Sequence, residues 1–249
     1  MPTPPHLALQ LKALRKSFGK TDVIRGLDLS IHLGERIGII GPNGAGKSTL
    51  FDLISGRCAP GSGQILLNGH RIDGKKPYEI NRMGLSRSFQ TSNLFQNLSV
   101  FDNLRCAVLW HLGYRYALFQ FLNHDANDRA TEVMHRVQLD RKRNALALNL
   151  THAEQRVLEL GMTIAGQAGV ILLDEPTSGM SRAETLHLTG LIREVTHDKT
   201  LVTIEHDMGV VFDLADKIAV LVQGELLAFD APDVVRTDAR ISEAYGGWP

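Results

Sequence analysis

Ile37-Gly-Ile-Ile40, then Gly41-Pro42-Asn43-Gly44-Ala45-Gly46-Lys47-Ser48-Thr49, then Leu50-Phe51-Asp52-Leu53-Ile54 reads as a buried strand, a glycine-rich loop and a helix. The loop satisfies the P-loop pattern G-x-x-x-x-G-K-[ST] in the strand-to-helix setting that gives the pattern its meaning. Its chemistry is anion capture. Gly41, Gly44 and Gly46 let the backbone wrap closely, so that N–H groups and the positive end of the helix point at phosphate oxygens. Lys47 can then reach the β- and γ-phosphates, and the Ser48 hydroxyl can ligate Mg²⁺. The competing reading, a glycine turn that binds nothing, leaves the completeness of the motif unexplained.

A chain of 249 residues can bury a core as one large domain, or as one domain with a subdomain. A hydrophobic fraction of 43% with 22% charged residues fits a globular protein and excludes a disordered or fibrous one. The formal net charge of zero argues against a nucleic-acid partner, whose footprint is a basic surface. The one dense basic run, Arg141-Lys142-Arg143, reads as a solvated loop. Cys58 and Cys106 lack metal-site or framework spacing and read as reduced thiols. The start, Met-Pro-Thr-Pro-Pro-His, has no signal-peptide pattern, and the apolar segment Val108 to Leu122 is interrupted by Arg115 and too short to span a bilayer.

Alternation from Leu7 to Ser17 and from Val23 to Leu33, the latter with Leu27, Leu29, Ile31 and Leu33 on one face, predicts two antiparallel strands before the P-loop strand. Gln64 to Gly69 predicts a third, ending at an Asn-Gly turn. From Pro77 to about Ala165 the pattern reads as helical, with clear helical spacing over Ala126 to Val137 and Val157 to Ile164. Val170-Ile-Leu-Leu-Asp174 predicts a parallel strand buried on both faces, followed by a helix over Ala183 to Val195 and a strand over Leu201 to Ile204. Two further strands split at Gln223-Gly224, then a short helical tail, complete the pattern.

Two strand ends carry chemistry. Asp174 stands where P-loop enzymes place the acid that holds the nucleotide's Mg²⁺, and Glu175 stands where a carboxylate can orient or deprotonate an attacking water. His206 ends another strand; alone it would read as a surface histidine, but open α/β sheets bind ligands at the carboxyl ends of their strands.

Together these residues resemble the ATP-binding subunit of ABC transporters, from Leu7 to Gly246. The resemblance implies an α/β fold in a single ATPase cassette over residues 7–246: a P-loop NTPase core of RecA-like type (about 36–63 plus 166–230), an antiparallel β subdomain (about 7–35 and 64–73) and an inserted α-helical subdomain (about 91–165). By the same resemblance, Phe18 stacks on adenine, Gly41 to Thr49 is Walker A, and Gln90 is the Q-loop glutamine that senses Mg²⁺ and the membrane partner. Leu150 to Glu154 stands at the LSGGQ signature, so that Thr151, His152, Ala153 and Glu154 meet the ATP held by a second cassette. Val170 to Asp174 is Walker B, Glu175 the catalytic glutamate, Ser178-Gly179-Met180-Ser181 the D-loop, and His206 the switch histidine. Glu175, His206 and Lys47 thus form the catalytic set, and Ser48, Gln90 and Asp174 the metal set.

Ser-Arg-Ser-Phe-Gln90, Glu-Gln-Arg156 and Glu-His-Asp-Met-Gly-Val-Val211 resemble the branched-chain amino acid importers and the similar urea and short-amide importers; the segment around Trp110 to Leu122 is similar to an insertion common in that group. The resemblance implies ATP and Mg²⁺ as cofactors and a peripheral place on the cytoplasmic face of the inner membrane. Its implied partners are a second cassette (homo- or heterodimer), two transmembrane permease subunits and, indirectly, an extracytoplasmic solute-binding protein.

Two departures stand out: Ala153 replaces a signature glycine, and Ser181 stands where many cassettes carry Asp. An added methyl at Ala153 would crowd a phosphate or forbid positive φ, weakening the partner's site. The alternative function is accordingly an ATP-binding regulatory subunit with impaired hydrolysis.

Overall fold

A computed structural model describes residues 6–88, 94–111 and 124–245, and its account of His111 stops at the backbone. Gln90, and the Trp110 to Leu122 stretch beyond position 111, lie outside the described residues. The early strands are β1 (Leu7–Phe18), β2 (Thr21–His32), β3 (Arg36–Ile40), β4 (Ser62–Leu67) and β5 (His70–Arg71). Four of them form an antiparallel sheet in the order β2-β1-β4-β5.

The alternation in β2 buries Leu27, Leu29 and Ile31, but Leu33 falls beyond the strand end and is 56% exposed, which corrects its expected place on the buried face. In β1 the register shifts between Leu11 and Leu14. Ala13 sits there at φ 45° and donates its N–H to Asp28 Oδ1 at 2.8 Å, a bulge that turns Leu14 back into the core.

β3 belongs to a second sheet with β6 (Leu85–Arg87), β7 (Val170–Asp174), β8 (Thr200–Ile204), β9 (Lys217–Val222) and β10 (Glu225–Asp230), ordered β10-β9-β3-β8-β7-β6. Its pairings are parallel except at β9–β10. Alternate residues of β7 enter different cores: Val170 and Leu172 pack toward the antiparallel sheet, Ile171 and Leu173 toward the helices. Burial on both faces is why this strand reads as an unbroken apolar run.

β6 overturns the expectation of a purely helical region after Pro77. Three residues are too few to express a period of two, and only the pairing of Leu85, Ser86 and Arg87 with Val170, Ile171 and Leu172 makes them a strand.

The helices are α1 (Lys47–Ile54), α2 (Pro77–Arg82), α3 (Val100–His111), α4 (His124–Arg136), α5 (His152–Ala165), α6 (Arg182–Val195), α7 (Met208–Leu214), α8 (Pro232–Thr237) and α9 (Ala239–Tyr245). α1 packs between the two sheets through Leu50, Phe51, Leu53 and Ile54. α3, α4 and α5 form a helical cluster whose core also takes residues of α6. Among the described residues no helix is long and apolar enough to cross a membrane.

Candidate active site

The glycine loop leaves β3 at its carboxyl end, in the middle of the parallel sheet. A Cβ on Gly41 would collide with the carbonyl oxygen of Leu221 in β9, so the turn passes only a glycine there. Gly46 (φ 102°) caps α1, and its own Cβ would lie 2.9 Å from the Val23 carbonyl oxygen. No side chain caps α1 and no acid occupies its first turn. Its leading N–H groups and its positive end therefore stay available to an anion. Lys47 is 7% exposed and donates from Nζ to the carbonyls of Gly41 (2.5 Å) and Pro42 (3.1 Å). Burial pulls its ammonium below the usual lysine value, against the opposing pull of the carboxylates of Glu175 and Asp174.

Those carboxylates arrive from β7, separated from β3 only by β8, whose own end delivers His206. His206 Nε2 donates to Glu175 Oε1 at 2.8 Å. Glu175 is held at φ 48° with its N–H bonded to the Ile204 carbonyl at 2.9 Å. A left-handed non-glycine backbone of this kind costs about 1–3 kcal/mol and persists where the surroundings impose it, typically at functional sites. Lys47, Asp174, Glu175 and His206 are thus gathered beyond the carboxyl ends of the neighbouring strands β3, β8 and β7.

Asp174 is 1% exposed. Its Oδ2 accepts from Arg87 Nη2 at 2.8 Å, and its Oδ1 is buried without a hydrogen-bond partner among the described residues. Burial raises the carboxyl above the ordinary aspartate value, more than Arg87 lowers it. An orphaned carboxylate oxygen and an exposed serine hydroxyl at the start of α1 suit Mg²⁺, which takes one or two protein oxygens and completes its shell with phosphates and water. Among the described residues there is no group of three or more His, Cys, Asp or Glu that could hold a metal ion.

The Leu150–Glu154 segment has a different character. Thr151 caps α5, its Oγ1 accepting from the Glu154 N–H (3.2 Å) while the Glu154 carboxylate accepts from the Thr151 N–H (3.0 Å) and pairs with Lys142 (3.2 Å). Burial would raise the Glu154 carboxyl, but the Thr151 N–H and Lys142 outweigh it and hold it below the usual glutamate value. Among the described residues no hydrogen bond or ion pair joins residues 151–154 to residues 41–49. Phe18, 53% exposed, ends β1 beside Thr21, and β2 then packs Val23 and Ile24 against Gly46. An open aromatic face therefore stands on the hairpin next to the phosphate loop, with Lys16 Nζ 4.9 Å from its ring centre.

Residues 24–178 match the family model described as ABC transporter. The chain belongs to the ABC transporter family. Over 250 residues it is 34% identical to the high-affinity branched-chain amino acid transport ATP-binding protein LivG of Escherichia coli (strain K12), spanning 96% of this chain and 97% of that one. Against the corresponding protein BraF of Pseudomonas aeruginosa the identity is 32% over 248 residues, spanning 96% and 97%. A solved nucleotide-free ATP-binding cassette from an ABC transporter shares the fold at a TM-score of 0.85 and 23% identity, over 97% of this chain and all of the other. As an ABC transporter ATP-binding protein, the chain is a nucleotide-binding ATPase that powers transport.

Within this ABC cassette both departures from the family pattern have local explanations. Ala153 lies in the first turn of α5 and is not among the described residues with positive φ, so the anticipated backbone conflict does not arise. Ser181 caps α6 in a reciprocal arrangement with Glu184. In the basic run Arg141 is exposed, Lys142 pairs with Glu154 at 3.2 Å, and the Arg143 guanidinium lies 3.8 Å from the Phe101 ring centre. Two residues had no assigned role from sequence. Arg87 bridges Asp174 to α1, and Glu205, 4% exposed, accepts from the Thr177 N–H (3.0 Å), the Thr177 hydroxyl (2.8 Å) and the His206 N–H (3.2 Å). An acid directly after the buried strand Thr200–Ile204 was the available signal for Glu205.

Proposed function

We propose that this cassette powers the import of branched-chain amino acids or a related small solute, with Glu175 as the catalytic base. The observation that carries the catalytic part is the Glu175–His206 pair at 2.8 Å beside Lys47 and the uncapped start of α1. The α1 N–H groups and Lys47 bind the phosphates, and Phe18 offers its exposed ring to the adenine. Ser48, Gln90 and Asp174 are the residues that would hold Mg²⁺, which supplies charge neutralisation between the β- and γ-phosphates. Glu175 orients the attacking water and takes its proton, and His206 turns its Nε2–H from Glu175 to the γ-phosphate. Thr151, His152, Ala153 and Glu154 face the ATP of a second cassette.

The solute class rests on the near full-length likeness to LivG and BraF. The proposal extends, on the resemblance of the sequence motifs, to two permease subunits, an extracytoplasmic solute-binding protein and a place at the cytoplasmic face of the inner membrane. A groove of about 440 Å³ lined by Tyr78, Leu94, Phe95, Cys106, Trp110 and Met162 is where a cytoplasmic segment of a permease would dock.

Glu175→Gln tests the catalytic assignment: ATP binding stays within about twofold while turnover falls by about two to four orders of magnitude. Undiminished turnover would remove Glu175 from the role. Purification of the tagged chain from its native membranes tests the transport assignment. Two multi-span permeases and a second cassette are expected, and recovery without membrane partners would overturn it.

A further inference from the structure

Arg87 is the one strand residue of β6 whose side chain reaches the chemistry. Its side chain is 6% exposed, and its guanidinium works in two directions. Nη1 donates to Asp52 Oδ1 (2.7 Å) and Ser55 Oγ (2.9 Å), both on or just after the helix that begins with Lys47 and Ser48. Nη2 donates to Asp174 Oδ2 at 2.8 Å. Phe51 of the same helix lies beneath, its ring centre 5.5 Å from the guanidinium carbon. We propose that Arg87 is a positioning residue for Asp174: by taking Oδ2 it fixes the carboxylate to α1 and leaves the buried Oδ1 as the oxygen presented to Mg²⁺. The proposal rests on the reading of Asp174 as a metal ligand.

Three features favour this over a pair kept for stability alone. A buried ion pair is often replaceable by apolar residues without loss, so stability by itself does not call for one here. The planar fork of arginine can serve acceptors on two elements at fixed angles, which a lysine or an aliphatic side chain cannot. The donors divide so that one carboxylate oxygen is occupied and the other has no partner among the described residues. Groups that orient a metal's ligand in this way typically contribute about tenfold to hundredfold to metal affinity. Arg87 also lines the apolar groove together with Ser86 and Ser88, so one side chain is shared between that groove and the metal carboxylate.

The test uses the full chain carrying Glu175→Gln, so that ATP persists, with Mn²⁺ as a spectroscopic probe. Mn²⁺ affinity is titrated by electron paramagnetic resonance at saturating ATP, and ATP affinity is measured separately in EDTA. Arg87→Ala is expected to weaken Mn²⁺ binding about tenfold or more, with ATP affinity in EDTA changed by less than about twofold and partial recovery in Arg87→Lys. Arg87→Gln, closer in volume, carries the same expectation if the alanine variant does not fold. A melting-temperature loss with unchanged Mn²⁺ affinity would overturn the proposal and leave Arg87 as scaffold. Asp174→Asn separates the two levels. If it weakens Mn²⁺ binding and the Arg87 variants do not, only the proposal fails; if it has no effect, the metal assignment of Asp174 fails and the proposal with it.

Discussion

Two helix starts in this molecule were both read as ATP-facing, and they are built in opposite ways. α1 begins at a glycine, with no capping side chain and no acid in its first turn, so its N–H groups and dipole are left for a phosphate. α5 begins at Thr151 with a complete capping box, and Lys142 pairs with Glu154 Oε1 at 3.2 Å. The first helix start gives up about 1 kcal/mol of capping to stay open, a sacrifice of stability that binding can recover. The second is satisfied by its own chain, and under the proposed function it would present a carboxylate to the second cassette's phosphate. The two helix starts thus differ in whether the protein has already answered the helix dipole.

The largest expected effect is at the open end. Lys47→Ala should weaken ATP binding by about tenfold to hundredfold, the loss of one or two charge-assisted hydrogen bonds, read by equilibrium nucleotide binding. Unchanged affinity would mean that the uncapped helix end alone holds the phosphates. Next comes the closed end: Glu154→Gln removes a like charge of about 1 kcal/mol from the partner's γ-phosphate. Turnover at the partner's site should then rise about fivefold in assembled transporters whose own site carries Glu175→Gln, and a fall would show that the carboxylate assists there. Thr151→Ala should cost about 1 kcal/mol of stability in denaturant melts while leaving ATP binding to α1 intact.

Ala153→Gly should lower stability by about 0.5–1 kcal/mol and leave the partner site's turnover unimproved, because the alanine is an ordinary helical residue. The smallest effect is in acid. Glu154 ionises below the usual glutamate value, so the stability it lends is complete above that value and disappears as pH falls through its lower folded one. The stability gap between the parent and Glu154→Gln, read by thermal melts across acidic pH, should close over that window.

The loop from Gly41 to Thr49, the acids after Val170-Ile-Leu-Leu173 and the hydrophobic alternation of β2 were legible because each is local: spacing along the chain carries the physics of a tight turn, a doubly buried strand or a half-buried one. Leu33 was misplaced because alternation does not announce where a strand stops. Ala153 looked like a defect because comparison of letters does not show that the backbone there is helical. The partners of Lys142 and Arg143 were not legible because Glu154 and Phe101 lie elsewhere in the sequence. By itself, then, the sequence determined the phosphate loop, most of the longer strands and helices, and the candidate residues for catalysis. Only the tertiary structure decided that Leu85–Arg87 is a strand, that Glu175 meets His206, and that Arg87 joins Asp174 to α1. Those contacts link residues 31, 35 and 87 positions apart, and no local pattern encodes a contact that parallel strand pairing creates.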